Sequence, residues 1–150
     1  MIGLRVDHAG YSMRTIEIRD QNFRKNVQDV PDGFEADHIL ELQQVKSEMC
    51  SGRHELDDTV VDEITTLANS ESNRQLLTSK ENSVKKNYVA RALKNGYCDR
   101  EGQEAVLRTS LAACQKLQDE ARQMNATQTT QNVLHGIERT LTKMFKHEKT

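Results

Sequence analysis

Two apolar stripes near the C-terminus constrain this chain more than any other feature. Leu107, Leu111, Cys114, Leu117, Ala121 and Met124 follow one another by three and four residues, and so do Leu134, Ile137, Leu141 and Met144. At 3.6 residues per turn such steps gather on one side of a helix. Each set therefore predicts a long helix with one buried face, and the Thr- and Gln-rich segment from Asn125 to Gln131 is their joint. Scarce punctuation agrees with this: 7 Gly and 1 Pro in 150 residues leave few tight turns.

Upstream the pattern is less regular. Residues 1–30 read either way, since Ile16 and Ile18 alternate like a strand while the stretch to Val27 also suits a helix. Pro31-Asp32-Gly33 is a turn, and Phe34 to Ile39 reads as a short strand. Leu40, Leu42, Val45 and Met49 predict a helix that Ser51-Gly52 breaks. Asp57 or Asp58 caps the next one, marked by Val60, Val61, Ile64 and Leu67. Asn69 to Asn73 is a polar loop and Leu76-Leu77 a brief second strand. A helix is expected from near Asn82 to a stop at Asn95-Gly96.

Bulk properties exclude several classes. A length of 150 residues suits one domain. A formal charge of −2 makes the whole chain no electrostatic trap for nucleic acid, so any such binding needs a local basic patch. Cys50, Cys98 and Cys114 form no CxxC pair, which argues against a zinc knuckle and for reduced thiols. No apolar run approaches the roughly 20 residues of a membrane span. The N-terminus lacks a secretory apolar stretch, so the expectation is a cytoplasmic protein or one delivered by a non-classical route.

Three short segments carry the chemistry: Glu35-Ala36-Asp37-His38-Ile39, Asn73-Arg74-Gln75-Leu76-Leu77, and Asn82 with Lys85. Together they resemble the signature of the HNH (His-Me finger) nucleases, over roughly residues 34–90. The resemblance implies an α+β, mainly helical chain, residues 1–150 as a single domain. Its ββα-metal core would span about 34–95, packed with a C-terminal helical pair at about 100–147. It implies His38 as general base, Asn73 as the acceptor that orients the imidazole, and Asp37 and Asn82 as oxygen ligands of one divalent cation, Mg²⁺ or Mn²⁺. Lys85 would contact phosphate.

These residue types suit phosphodiester hydrolysis on their own terms. Histidine titrates nearest neutrality and can take a proton from water, while hard oxygen donors suit Mg²⁺ or Mn²⁺. Asp37 and His38 are adjacent, however, so on a regular strand they point to opposite faces. A twisted strand end is needed to bring both to one site. Between Asn73 and Lys94 the basic residues Arg74, Lys80, Lys85, Lys86, Arg91 and Lys94 face Glu81 alone, a local +5 that leaves −7 on the rest of the chain. Lys85, Lys86, Arg74 and Arg91 are the expected nucleic-acid contacts. His8, His54, His135 and His147 are expected at the surface, with His54 kept open.

The expected function is endonucleolytic hydrolysis of DNA; toxin or effector domains and parts of restriction or mobile-element systems are the family-level associations, with an inhibitor (immunity) protein expected for a toxin. No membrane partner is expected, and the C-terminal helices leave homo-oligomers open. The competing reading is a non-catalytic helical interaction module with a chance or decayed motif. A third keeps the fold and makes RNA the substrate. Convergence of His38, Asp37, Asn73 and Asn82 on one cavity separates the nuclease readings from the module.

Overall fold

A computed structural model describes residues 30–145; the ambiguous N-terminal segment, His8 and His147 lie outside them. Strand β1 (Phe34–His38) leaves the turn at Gly33 and pairs antiparallel with β2 (Arg74–Thr78), with Phe34 opposite Thr78 and His38 opposite Arg74. Helices α1 (Leu42–Met49) and α2 (Asp58–Ala68) and a 3₁₀ turn (Glu71–Asn73) fill the connection. Then come α3 (Ser79–Asn95), α4 (Gln103–Gln123) and α5 (Gln128–Phe145). The protein is α+β and mainly helical, with five α-helices and one two-stranded antiparallel sheet among the described residues. None of these helices is long and apolar enough to cross a membrane.

Local chemistry explains the boundaries. Asp57 caps α2, accepting from Val60 N at 2.9 Å. Helix α3 begins at Ser79 rather than near Asn82. Thr78 Oγ1 accepts from Glu81 N and Glu81 Oε1 from Thr78 N, a Thr-x-x-Glu capping box that starts the helix one turn early. It ends as expected at Gly96, whose φ of +83° lies in the left-handed region. Buried Gln103 then locks the next corner, accepting from Asp99 N and Arg100 N and donating to Tyr88 O.

One cluster of buried apolar side chains runs from Leu40 through Val61 and Leu107 to Leu141 and Met144. Each fully buried Leu or Val of this cluster contributes about 1.5–3 kcal/mol relative to exposure. Both C-terminal stripes face it, with one exception. Met124 is 41 % exposed because it caps the end of α4 instead of continuing its inner face. Cys114 lies in the core with its thiol pushed up to about 12 by desolvation, and no disulfide joins Cys50, Cys98 and Cys114.

Two polar features, one half-buried and one buried, lock helices together. Glu63 on α2 accepts from Thr127 N, Thr127 Oγ1 and Thr130 Oγ1, which fastens the start of α5. Burial alone would raise its carboxyl, but the hydrogen bonds from Thr130 and Thr127 outweigh it and hold the group below its ordinary value. On α1, buried Glu48 takes Arg53 at 2.7 Å and His54 at 2.6 Å, so His54 is a core residue rather than a surface one. Glu48 lies against Gly136 of α5, where an added Cβ would meet the carboxylate at 2.2 Å.

Gly136→Ala sets two magnitudes against each other. Alanine favours a helix by about 1 kcal/mol, while overpacking costs about 1–3 kcal/mol. Since Arg53 and His54 restrain Glu48, the clash should win, and urea denaturation should report a net loss; a stabilised variant would mean that Glu48 simply swings aside. The second expectation concerns Glu63. Its folded carboxyl titrates below the ordinary 4.5, so its contribution is full above that value and fades as pH falls through the lower folded one. Glu63→Gln should therefore unfold at a lower temperature than wild type near neutral pH, with the difference shrinking in acid. A gap independent of pH would contradict this.

Candidate functional site

Alternation along β1 places Glu35 and Asp37 on the face toward α3. Asp37 Oδ2 accepts from Gln75 Nε2 of β2 at 3.0 Å and lies 2.9 Å from Lys85 Nζ. The Lys85 ammonium also donates to Glu41 Oε2 at 2.8 Å and to the His38 carbonyl at 2.7 Å. Three acceptors thus surround a cation that is only 6 % exposed. Lys85 is accordingly no phosphate contact. Its charge is spent internally, because an ammonium taken out of water needs such partners.

His38 ends the strand, and there the ladder gives way to a bend: Ile39 N donates to Asn73 O and Leu40 N to Asn73 Oδ1. The bend resolves the problem of adjacent side chains. Asp37 and His38, both buried, line one pocket of about 210 Å³ with Glu41, Leu42, Gln43, Lys46 and Lys86. The imidazole Nε2 lies 2.7 Å from Asn69 Oδ1. With that oxygen as acceptor, Nε2 is the donor of this bond, and the contact holds the plane of the ring.

Asn73 does not orient the imidazole. Its amide is committed to the backbone, accepting from Leu40 N at 2.7 Å and donating to Leu40 O at 3.1 Å and Ala68 O at 2.8 Å. It clamps the chain on both sides of the α1–α2 insertion. The imidazole partner is Asn69, four residues earlier, at the C-terminal end of α2. The only sequence signal for it was its place in the polar Asn69–Asn73 loop, because which asparagine faces the ring depends on how α2 ends.

Asn82, on the first turn of α3 facing β1, is 2 % exposed. Its Nδ2 donates to Glu35 Oε1 at 2.6 Å, while its Oδ1 is buried without a hydrogen-bond partner among the described residues. Asn82 does not line the Asp37–His38 pocket; it sits at the same β1–α3 seam, bonded to the residue two before Asp37. Of the other expected contacts, Arg91 is held by Asp99 through two bonds of 2.7 Å. Arg74 is exposed and donates to Asn69 O, and Lys86 lines the pocket. The +5 of this stretch is therefore partly neutralised by Asp37, Glu41 and Asp99, all outside it.

Among the described residues no group of three His, Cys, Asp or Glu side chains is arranged to hold a metal ion. A site here would rely on the amide oxygen of Asn82 as well as Asp37. A larger cavity of about 750 Å³ between α1 and α5, lined by Glu48, Ile137 and Met144 among others, contains neither His38 nor Asp37. Comparison of the chain with known protein families, curated proteins and solved structures finds no match.

These bonds separate two roles for Asn73. As a clamp, its replacement by alanine strands Leu40 N, Leu40 O and Ala68 O, at roughly 1–3 kcal/mol for each group left unpaired in the interior. Asn73→Ala should therefore lower the melting temperature clearly, whereas Asn69→Ala, which frees one partly exposed ring contact, should cost far less. Equal and small losses would return Asn73 to an orienting role.

Proposed function

We propose that this chain is a divalent-metal-dependent endonuclease of the HNH type that hydrolyses DNA phosphodiester bonds. The observation that carries the reading is the bend at the end of β1, which delivers a buried carboxylate and an imidazole held by Asn69 to one pocket. Two of the four residues that the reading names, Asp37 and His38, line that pocket, while Asn73 and Asn82 stand outside its lining. The frame around it, two antiparallel strands followed by a helix, has the order that the resemblance implies.

Two oxygen-bearing side chains, Asp37 and Asn82, are the candidates to hold a divalent cation. Asn82 Oδ1 is a buried acceptor with no donor, a state that costs about 1–3 kcal/mol unless something fills it. It is a hard oxygen of the kind that Mg²⁺ and Mn²⁺ take, and so is Asp37. Held by Asp37 and Asn82, such an ion supplies Lewis-acid polarisation of the scissile phosphate.

The chain's own residues do the rest. His38, its ring held by Asn69, is the base that receives the proton of the attacking water. Asn69 keeps the ring from rotating, and Asn73 fixes the backbone of Leu40 just behind it. Lys85 and Gln75 pin one oxygen of Asp37, so that the carboxylate keeps one orientation. Lys86, at the pocket edge, is the cation placed to meet substrate phosphate, with Arg74 as an exposed neighbour at the sheet end.

Supercoiled plasmid tests this directly. The purified protein should nick it with Mg²⁺ or Mn²⁺ and not with EDTA, and His38→Ala should lower the rate by about 10² to 10⁴. Failure of the wild type to cleave or bind DNA with either metal would favour the interaction module, and cleavage confined to RNA would change the substrate but not the site.

A further inference from the structure

We infer that Glu35 is a positioning residue that sets which end of the Asn82 side chain faces the cation site. The inference rests on the metal-dependent reading above. A buried asparagine amide has two faces of similar size, one oxygen and one nitrogen, and only the oxygen binds a cation. Something has to choose between the two orientations. Here the choice is made by a carboxylate, which can accept but cannot donate.

Glu35 Oε1 accepts from Asn82 Nδ2 at 2.6 Å, a charge-assisted bond of the stronger kind. The opposite orientation would set the amide oxygen against a carboxylate oxygen. Glu35 is itself anchored, since its Oε2 accepts from Ser79 Oγ at 2.8 Å. Ser79, Asn82 and Lys85 recur every three residues along α3, and Glu35 and Asp37 every two along β1. The two rows interlock, with Ser79 and Asn82 on Glu35 and Lys85 on Asp37. With Nδ2 fixed in this way, Oδ1 is left buried and unpartnered. A partner that holds a metal ligand from behind and raises its basicity is typically worth a factor of about 10–100 in metal affinity.

Two variants and a calorimeter test the inference. In titrations with Mn²⁺, Glu35→Ala should weaken binding roughly ten- to a hundredfold. Glu35→Gln can still offer Asn82 an oxygen but can also donate, so it should lose less affinity than Glu35→Ala. In metal-free protein, the side-chain NH₂ signal of Asn82 should exchange slowly with solvent in the wild type and in Glu35→Gln, and faster in Glu35→Ala. Wild-type Mn²⁺ affinity in a folded Glu35→Ala would overturn the positioning role while leaving the nuclease reading intact. So would equal losses in both variants, which would make the charge of Glu35 the operative property. A wild type that binds no Mn²⁺ would overturn the metal-dependent reading and this inference with it.

Discussion

The ammonium of Lys85 is the interaction on which the rest of the site depends. It joins α3 to the end of β1 through Asp37 and the His38 carbonyl, and to the start of α1 through Glu41. A buried cation with one partner is a poor stabiliser, since desolvation consumes most of the Coulombic gain. With three acceptors it becomes a geometric constraint instead. Removing one partner of such an arrangement typically costs about 3–5 kcal/mol, because the remaining charges stay buried. Bond lengths of 2.7 to 2.9 Å leave each of the three segments little freedom to move relative to the others.

Around that pin, uncharged amides do the finer positioning. Asn73 closes the insertion between the strands, Asn69 holds the imidazole, and Gln75 shares the fixing of Asp37. The residues that look catalytic in the sequence thus divide into those at the pocket and those that build it. His38 and Asp37 are at the pocket; Asn73 and Lys85 shape the backbone and charge behind them. A charged residue beside a site is often assumed to meet substrate, yet burial decides otherwise here. Lys85 at 6 % exposure has no surface to offer, and Arg91 is already paired with Asp99.

Much of the fold was legible because it follows from local rules. The stripes of α4 and α5, the Asp57 cap, the Gly96 stop and the second strand each rest on a period or on a residue with one strong backbone preference. The start of α3 is written locally too, in the capping box of Thr78-x-x-Glu81. Misplacements came from long-range contacts. His54 is buried because Glu48 of α1 reaches it, and Met124 is exposed because α4 ends where Ala126 N turns back to Ala121 O.

By itself, the sequence determined the element order, the buried faces of the helices and the set of polar residues near the strand end. Those depend on neighbours within a few positions, where spacing alone settles geometry. Tertiary structure decided which asparagine faces the ring, which lysine is spent internally and whether Asp37 and His38 share a pocket. These choices join residues 30 to 50 positions apart, such as His38 with Asn69 and Glu35 with Asn82. They are settled by competition for a few buried acceptors, and no local pattern records the outcome.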